Sequence, residues 1–439
     1  MSRLAILAGG LAAITLAAQA EAAILEDGGT TPAARPGSAL AARGSLSESQ
    51  LRSRLEREMD RVGGGSGAWV LDLAANGSGD VLYADSGKRR RMLASNSKLF
   101  TTAAFLDRFG AEGTLQTGVW ERGRRAGVND QILRGGLVLV GDGDPALASP
   151  GFARRKNLPL TKLKPLARAV RTAGIKRVKG DLLVDPTVFD GKRSVPQPGI
   201  TGGPWLSTLS GLSFNAGFNG GRYAARPERE AGADFLKRLD RAGVKVKGRI
   251  RVGGAPPPVL AADPIDTVRS PTAAQLITRT NVPSDNFYAE MLLKRLAARD
   301  TQKGTTAGGA RKAKRFANGV GSGANLVNGS GLSRTNKASP KEVGRLLAHM
   351  AADDELGKPF RKSLPVAGRT GTLANRMRGT AAQGKCMAKT GTIDGVSALS
   401  GYCKSGSGLI AFSLLMNGVN LDAARRAQDA IAASIARFG

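Results

Sequence analysis

Ser95-Asn96-Ser97-Lys98 is the only Ser-x-x-Lys in the chain. A run with helical spacing starts on it, with Leu99, Ala103, Ala104 and Leu106 forming an apolar stripe that reaches Phe109. At i and i+3 of a helix the Ser95 and Lys98 side chains share a face and lie within hydrogen-bonding reach. A lysine made neutral by burial can take the proton of such a serine and turn it into a nucleophile. The helix N-terminus adds free backbone N–H groups for a developing oxyanion. Standing alone, the same four residues are more often a capping serine beside a solvated lysine.

Two further boxes follow in order. Ser284-Asp285-Asn286 precedes a long helical pattern, Phe287–Ala298, and Lys389-Thr390-Gly391-Thr392 lies on an apolar strand pattern with a hairpin partner. Each has a competitor: Ser213-Phe214-Asn215 also reads Ser-x-Asn, and Arg369-Thr370-Gly371-Thr372 mimics the third box. Ser284 is preferred for the helix behind it, and Lys389 for its strand. The succession Ser-x-x-Lys, Ser-x-Asn, Lys-Thr-Gly marks the penicillin-recognising serine enzymes. Two other motifs fail on context. Gly379 to Lys385 matches the start of a phosphate loop, but Cys386 follows and a strand, not a helix, comes next. Gly141-x-Gly143-x-x-Ala146 follows a strand, but Pro145 and Pro150 spoil the helix that a dinucleotide site needs.

The composition agrees with histidine-free chemistry. The 439 residues contain 65 Lys+Arg, 35 Asp+Glu, a single histidine (His349) and two cysteines, Cys386 and Cys403. Any Ser-His-Asp machinery would rest on His349 alone, read here as a bland, partly buried helix residue. Zinc, iron–sulfur and haem-thiolate sites lack ligands, so no cofactor or metal is expected. The formal charge of +30 would suggest nucleic acid in a cytosolic protein. The N-terminus reads otherwise: Arg3, an apolar run from Leu4 to Ala18, and Ala18-Gln19-Ala20 form a cleavable secretory signal over residues 1–20. No later run is long enough to span a bilayer. In a periplasmic or cell-wall space the candidate anionic partners are wall polymers and lipid headgroups, not nucleic acid; basic residues simply spread over a soluble surface are the competing reading.

Residues 21–45, rich in Ala, Gly, Pro and Ser, read as a flexible linker. A helix to Val62, strands at Ala68–Leu73 and Gly79–Ala84 around an Asn76-Gly77 turn, and the Ser95 helix follow. Residues 111–261 form an inserted region, expected as two small subdomains. Inside it a unit repeats: helix, Ala173-Gly174-Ile175-Lys176, then Val178-Lys179-Gly180 and a strand, matched by helix, Ala242-Gly243-Val244-Lys245, then Val246-Lys247-Gly248 and a strand. Residues 262–439 return to regular patterning, with Pro340 and Glu342 after Ser339 marking a helix start. The class is mixed α/β (α+β), with a mainly antiparallel sheet between helices. Residues 46–110 and 262–439 make the domain that carries the three boxes.

The chain resembles the class C low-molecular-mass penicillin-binding proteins, the D-alanyl-D-alanine carboxypeptidase/endopeptidase family. Beyond the boxes, Gly143-Asp144-Pro145, Gly180-Asp181-Leu182, Ala289-Glu290 after Ser284-Asp285-Asn286, Gly329-Ser330-Gly331-Leu332-Ser333, Ser363-Leu364-Pro365 and Ala388–Tyr402 carry the likeness. The 189 residues from Ser95 to Ser284 fit a family that inserts extra domains there. Asn328 and Arg369-Thr370 depart from its usual pattern. The resemblance implies a serine β-lactamase/transpeptidase-like catalytic domain acting on peptidoglycan stem peptides. It implies Ser95 as nucleophile, Lys98 as base and Ser284 as proton relay. Asn286, Lys389, Thr390, Gly391 and Thr392 would bind substrate, and Asp144 would meet a substrate amine or serve only its turn. β-Lactams would be inhibitors. A β-lactamase or esterase of the same fold and a non-catalytic wall-binding protein are the competing readings.

The cysteines yield to register. If Asp394-Gly395 is a two-residue hairpin turn, counting outward from Ile393 and Val396 places Cys386 opposite Cys403. That pair falls on a non-hydrogen-bonded position, where Cα atoms lie about 4.5 Å apart, short but adequate for a disulfide. An exported chain permits the oxidation.

Overall fold

The computed structural model describes residues 44–73, 79–195, 205–298 and 303–439. The expected signal, nearly all of the linker and the Asn76-Gly77 turn lie outside these residues. Helix α1 (Glu48–Val62) opens on a capping box, in which the Ser47 hydroxyl accepts the Gln50 N–H and the Gln50 side chain accepts the Ser47 N–H. Its Leu51, Leu55 and Met59 are buried, spaced by four as one helix face demands. Strands β1 (Ser66–Leu73) and β2 (Gly79–Asp85) follow. A 3-10 turn at Ala94–Asn96 then delivers Ser95, and helix α2 (Ser97–Phe109) continues from it.

The chain next leaves for the inserted region. Strands β3 (Gln116–Arg122) and β4 (Gly136–Val140) precede the two repeated units. The first is α3 (Lys164–Thr172) with β5 (Leu182–Asp185); the second is α4 (Pro227–Arg241) with β6 (Ile250–Val252). The units lie side by side: Lys245–Val246 pairs in parallel with Arg177–Val178, and β6 pairs in parallel with β5. With β7 (Asp266–Arg269) the larger sheet runs β6-β5-β4-β3-β7. Leu137, Leu139, Leu166, Val170, Leu182, Phe235 and Leu239 share one hydrophobic core beneath it.

On its return the chain forms α5 (Ala273–Asn281), α6 (Asn286–Ala297), α7 (Thr306–Gly319) and α8 (Pro340–Ala352). Helix α7 occupies the basic, glycine-rich stretch in which the sequence shows no element; buried Ala310, Ala313 and Ala317 make its packing stripe. Helix α8 starts on the expected capping box of Ser339 and Glu342, with Pro340 at its first position. His349, near its end, is exposed and meets Phe316 edge-on. It is not partly buried as read from the sequence, since the stripe of Val343, Leu346, Leu347 and Met350 faces away from it. Strands β8 (Cys386–Ile393), β9 (Val396–Lys404) and β10 (Leu409–Asn417) and helix α9 (Leu421–Ile435) complete the chain.

These strands assemble with the first two as β8-β9-β10-β1-β2, antiparallel throughout. One sheet face packs on α1 and α9 through Val70, Leu399, Phe412, Leu414 and Ile431. The other packs on α2, α5, α6 and α8 through Ala398, Tyr402, Ala411 and Leu415. The result is three layers with a separate core on each side of the sheet. Among the described residues no helix is long and apolar enough to cross a membrane.

Cys386 faces Cys403 across the β8–β9 ladder and is bonded to it, with Cα atoms 4.0 Å apart. Both sulfurs lie against the Ala432 carbonyl of α9, on the sheet face away from Lys389. Replacing both cysteines by alanine should therefore destabilise the fold by about 3 kcal/mol, the chain-entropy value for a short closed loop. Denaturant titration measures this. Two reactive thiols in the unreduced, denatured protein would refute the bond.

Candidate active site

The turn before α2 and the first two residues of that helix position the side chains of the first box. Lys98 is fully buried and its Nζ lies 2.9 Å from Ser95 Oγ. The same nitrogen donates to Asn286 Oδ1 at 2.7 Å and to the Ser330 carbonyl at 2.7 Å. Asn96 Nδ2 donates to the Lys389 carbonyl at 3.0 Å, fastening the turn to β8. Ser97 Oγ accepts from Asn336 Nδ2 at 2.9 Å. Burial pushes the Lys98 amine down to about 7, against the opposing pull of Glu290 and Asp285.

The second box is set by helix capping. Asp285 is the N-cap of α6: its Oδ1 accepts the Tyr288 N–H at 3.0 Å, and its Oδ2 pairs with Arg279 of α5 at 2.8 Å. Asn286 therefore sits at the first turn of α6, and its Nδ2 donates to the Trp205 carbonyl at 2.8 Å. Ser284, just outside the helix, has a left-handed backbone with φ of 64°. Its hydroxyl accepts from Lys389 Nζ at 2.8 Å.

Lys389 is buried on β8, the edge strand of the sheet, and also donates to the Thr390 carbonyl at 2.8 Å. Thr390 Oγ1 donates to Thr372 Oγ1 at 2.7 Å. The third-box mimic at 369–372 thus supplies a neighbour of the real box. Gly391 is needed for close approach: a Cβ there would lie 2.8 Å from the Leu93 carbonyl oxygen and 3.1 Å from the Ser95 nitrogen. The first-box turn is pressed against the third-box strand at that point. Strand parity also shows where the β8 amides point. The Ala388 N–H leaves the ladder to reach Pro365, so Thr390 and Thr392, two and four residues on, also direct their N–H groups off the edge.

The loop Asn328 to Gly331 closes the site behind Lys98. Gly331 has φ of 87°, and a Cβ there would lie 1.8 Å from the Ala94 carbonyl oxygen, so only glycine lets this loop meet the Ser95 turn. Asn328 Oδ1 accepts from Gly331 N–H and from Asn336 Nδ2, the acceptor work an aspartate would do there. Glu290, fully buried on α6, accepts the Gly329 and Ser330 N–H groups. Sequence reading passed over Ser330, Glu290 and Trp205 as site residues; Ser330 and Trp205 contribute backbone carbonyls, which side-chain motifs do not encode.

Asp144 lies in the loop after β4, buried, with Oδ1 accepting the Ala146 N–H at 2.8 Å. Burial pushes its carboxyl up to about 6. The alternative second box is elsewhere in the insert, where Asn215 Oδ1 accepts the Ser149 N–H.

A Ser-x-x-Lys turn pinned under the edge of an antiparallel sheet, with Ser-Asp-Asn and Lys-Thr-Gly converging on it, defines the penicillin-recognising serine class. Comparison with known proteins narrows it: the chain belongs to the D-Ala-D-Ala carboxypeptidase 3 (S13) family, whose model matches residues 49–199 and 215–438. It is 31% identical to a D-alanyl-D-alanine carboxypeptidase of Actinomadura sp. (strain R39), over 85% of this chain and 81% of that one. It is 27% identical to carboxypeptidase DacB of Mycolicibacterium smegmatis, over 82% and 79%. Among solved structures, penicillin binding protein 4 (dacB) of Haemophilus influenzae superposes with a TM-score of 0.68 at 20% identity, covering 83% of this chain and 93% of that one. A predatory peptidoglycan endopeptidase of Bdellovibrio bacteriovorus shares the fold at a TM-score of 0.52 and 15% identity, covering 81% and 86%.

The left-handed backbone of Ser284 makes a prediction separable from chemistry. Ser284→Gly and Ser284→Ala both remove the hydroxyl, but only glycine relaxes the backbone. Ser284→Gly should be more stable than Ser284→Ala by on the order of 1 kcal/mol. Equal melting temperatures would show that the turn bears no such constraint.

Proposed function

We propose that the chain is a serine-type D-Ala-D-Ala carboxypeptidase/endopeptidase that cleaves peptidoglycan stem peptides through an acyl-enzyme on Ser95. The observation that carries this reading is the set of contacts around Lys98 Nζ. Two of its three neighbours, Asn286 Oδ1 and the Ser330 carbonyl, can only accept. A neutral amine has two hydrogens for them and one lone pair left, and that lone pair faces Ser95 Oγ at 2.9 Å. Lys98 is then the general base, and the Ser95 hydroxyl donates to it as it attacks the carbonyl between two D-alanines. With an amine near 7, both protonation states are accessible at neutral pH.

The remaining groups take complementary roles. The N–H groups of Ser95 and Thr392 receive the oxyanion. Ser284, bonded to Lys389, relays the proton to the leaving amine. Asn286 binds the substrate backbone, and Lys389 supplies positive potential. Thr390 and Thr392 hold the terminal carboxylate. The substrate lies along the free edge of β8 as an added strand, and Gly391 leaves the room for it there. Asp144, a carboxylate above about pH 6, meets an amine on the third stem residue. Water completes the turnover, and β-lactams acylate Ser95 because their amide mimics the substrate. The catalytic domain is built from residues 46–110 and the chain that follows the insert; the insert begins at 111 and, because β7 (Asp266–Arg269) pairs with β3, runs on past the expected end at 261 to Arg269. Export behind the N-terminal signal sets this strongly basic chain among anionic wall polymers.

Labelled penicillin should bind intact protein in a one-to-one covalent adduct, and Ser95→Ala should take up none; equal labelling would end the assignment. Mass spectrometry of digested peptidoglycan distinguishes loss of one alanine from opened cross-links. The rate of acylation carries a pH signature. Below about pH 7 Lys98 is protonated and cannot accept the serine proton, so the rate should fall tenfold per unit there and level off above. Stopped-flow acylation between pH 5 and 9 reads this directly. A rate independent of pH through that window would exclude Lys98 as the base.

A further inference from the structure

Glu290 stands one helical turn after Asn286 on α6, fully buried. Its Oε1 accepts the Ser330 N–H at 2.7 Å and the Gly329 N–H at 3.1 Å. None of the ion pairs between described residues includes it. Leaving a carboxylate in such a place costs several kcal/mol unless it is hydrogen-bonded, so its two amide bonds make the Gly329–Ser330 segment an obligatory partner. The same segment is held from the other side by Thr101 Oγ1, which donates to the Gly329 carbonyl at 3.0 Å. Ser330 then presents its carbonyl to Lys98 Nζ at 2.7 Å. One residue thus connects a buried carboxylate, through its N–H, to the buried amine, through its C=O.

We propose that Glu290 is a positioning residue of the serine–lysine centre, aiming the Ser330 carbonyl at Lys98 and placing a negative charge behind that amine without touching it. The inference rests on the functional reading above for its kinetic consequence, and on hydrogen bonds alone for its structural part. Burial drives both groups toward their neutral forms, pushing the Glu290 carboxyl up and the Lys98 amine down; the amide hydrogen bonds to Glu290 and the mutual attraction of the two charges oppose this, so an ionised Glu290 draws the proton back to Lys98. The charged groups acting on the pair are Asp285 and Lys294, both on α6; Asp285 is engaged by Arg279 of α5, and Lys294 by Asp190 of the insert. On β8, Lys389 is turned to Ser284. Asn328, where the family usually has aspartate, adds no charge to the loop, so Glu290 is the carboxylate that serves it.

Glu290→Gln keeps an oxygen for the two amides and removes the charge. The acidic limb of its acylation rate, read with a chromogenic cephalosporin by stopped flow, should move to lower pH by about one unit, with a plateau within tenfold of wild type. Glu290→Ala also removes the acceptor and should lower the plateau on the order of a hundredfold. A Glu290→Gln limb that superimposes on wild type overturns the proposal, whatever the alanine variant does and even if that variant fails to fold. The Lys98 titration is also visible without turnover, in the Cε resonance of lysine labelled with carbon-13, assigned by Lys98→Arg. A lower midpoint in Glu290→Gln sustains the inference even if no variant, nor wild type, is acylated. In that case the functional reading fails and the Glu290 assignment stands.

Discussion

The buried amine of Lys98 is the constraint that the rest of the site serves. Withdrawing an ammonium group from water costs several kcal/mol, and a directly paired carboxylate would repay that by holding the proton in place. The protein buries the amine but gives it no carboxylate in direct contact. It surrounds Nζ with a hydroxyl, an amide oxygen and a backbone carbonyl, all neutral. The carboxylates that act on it do so from further off: Glu290 is bonded to backbone amides and Asp285 to Arg279 and the start of α6. An amine held this way stays close to the balance between charged and neutral. That balance is what a proton acceptor working near neutral pH requires.

Helix α6 organises this arrangement. Asn286, Glu290 and Lys294 recur at intervals of four and so share one helix face. Asn286 contacts the amine, Glu290 holds the loop behind it, and buried Lys294 pairs with Asp190 of the insert. Next to it, Arg295 pairs with Asp142 at 2.9 Å, in the loop that also carries Asp144. The insert between the first and second boxes is therefore fastened to the helix that begins with the second. Its position in the sequence follows: the chain leaves after α2 and must come back to α5 and α6, which pack against α2.

The parts of this design that were legible in the sequence are those encoded by local spacing. A Ser-x-x-Lys at a helix start, a Ser-x-Asn before a helix and a Lys-Thr-Gly on a strand carry their geometry with them. The Cys386–Cys403 pairing follows from a two-residue turn and a period of two. The repeat at 163–184 and 234–252 was visible as a pattern, and the parallel pairing of its strands gives it a reason. What escaped depends on contacts between distant segments. The Ser330 and Trp205 carbonyls are backbone groups that any residue could supply. Glu290 carries part of the family likeness in the sequence, but what it holds shows only where a loop forty residues on closes over it. Helix α7 was hidden because its glycines oppose helix formation and only packing on its neighbours offsets them. The left-handed Ser284 has no signature, since serine rarely adopts that backbone.

Strand β8 shows how one short segment meets three demands at once. Side chains alternate across a strand, while the backbone bonds within the plane of the sheet. Cys386 and Ala388 point into the core beneath α1 and α9, where the disulfide ties β8 to β9. Lys389 and Gly391 point the other way, one bonded to Ser284 and the other making room for the turn that bears Ser95. The amides of Thr390 and Thr392 take the third direction, off the open edge. An interior strand would spend those amides on a neighbour, and a strand without the staple would hold its edge less firmly. A stapled edge strand keeps its hydrogen-bonding groups both free and fixed. On the proposed reading, in which substrate pairs along β8, that is why the third box lies at the rim of the sheet rather than within it.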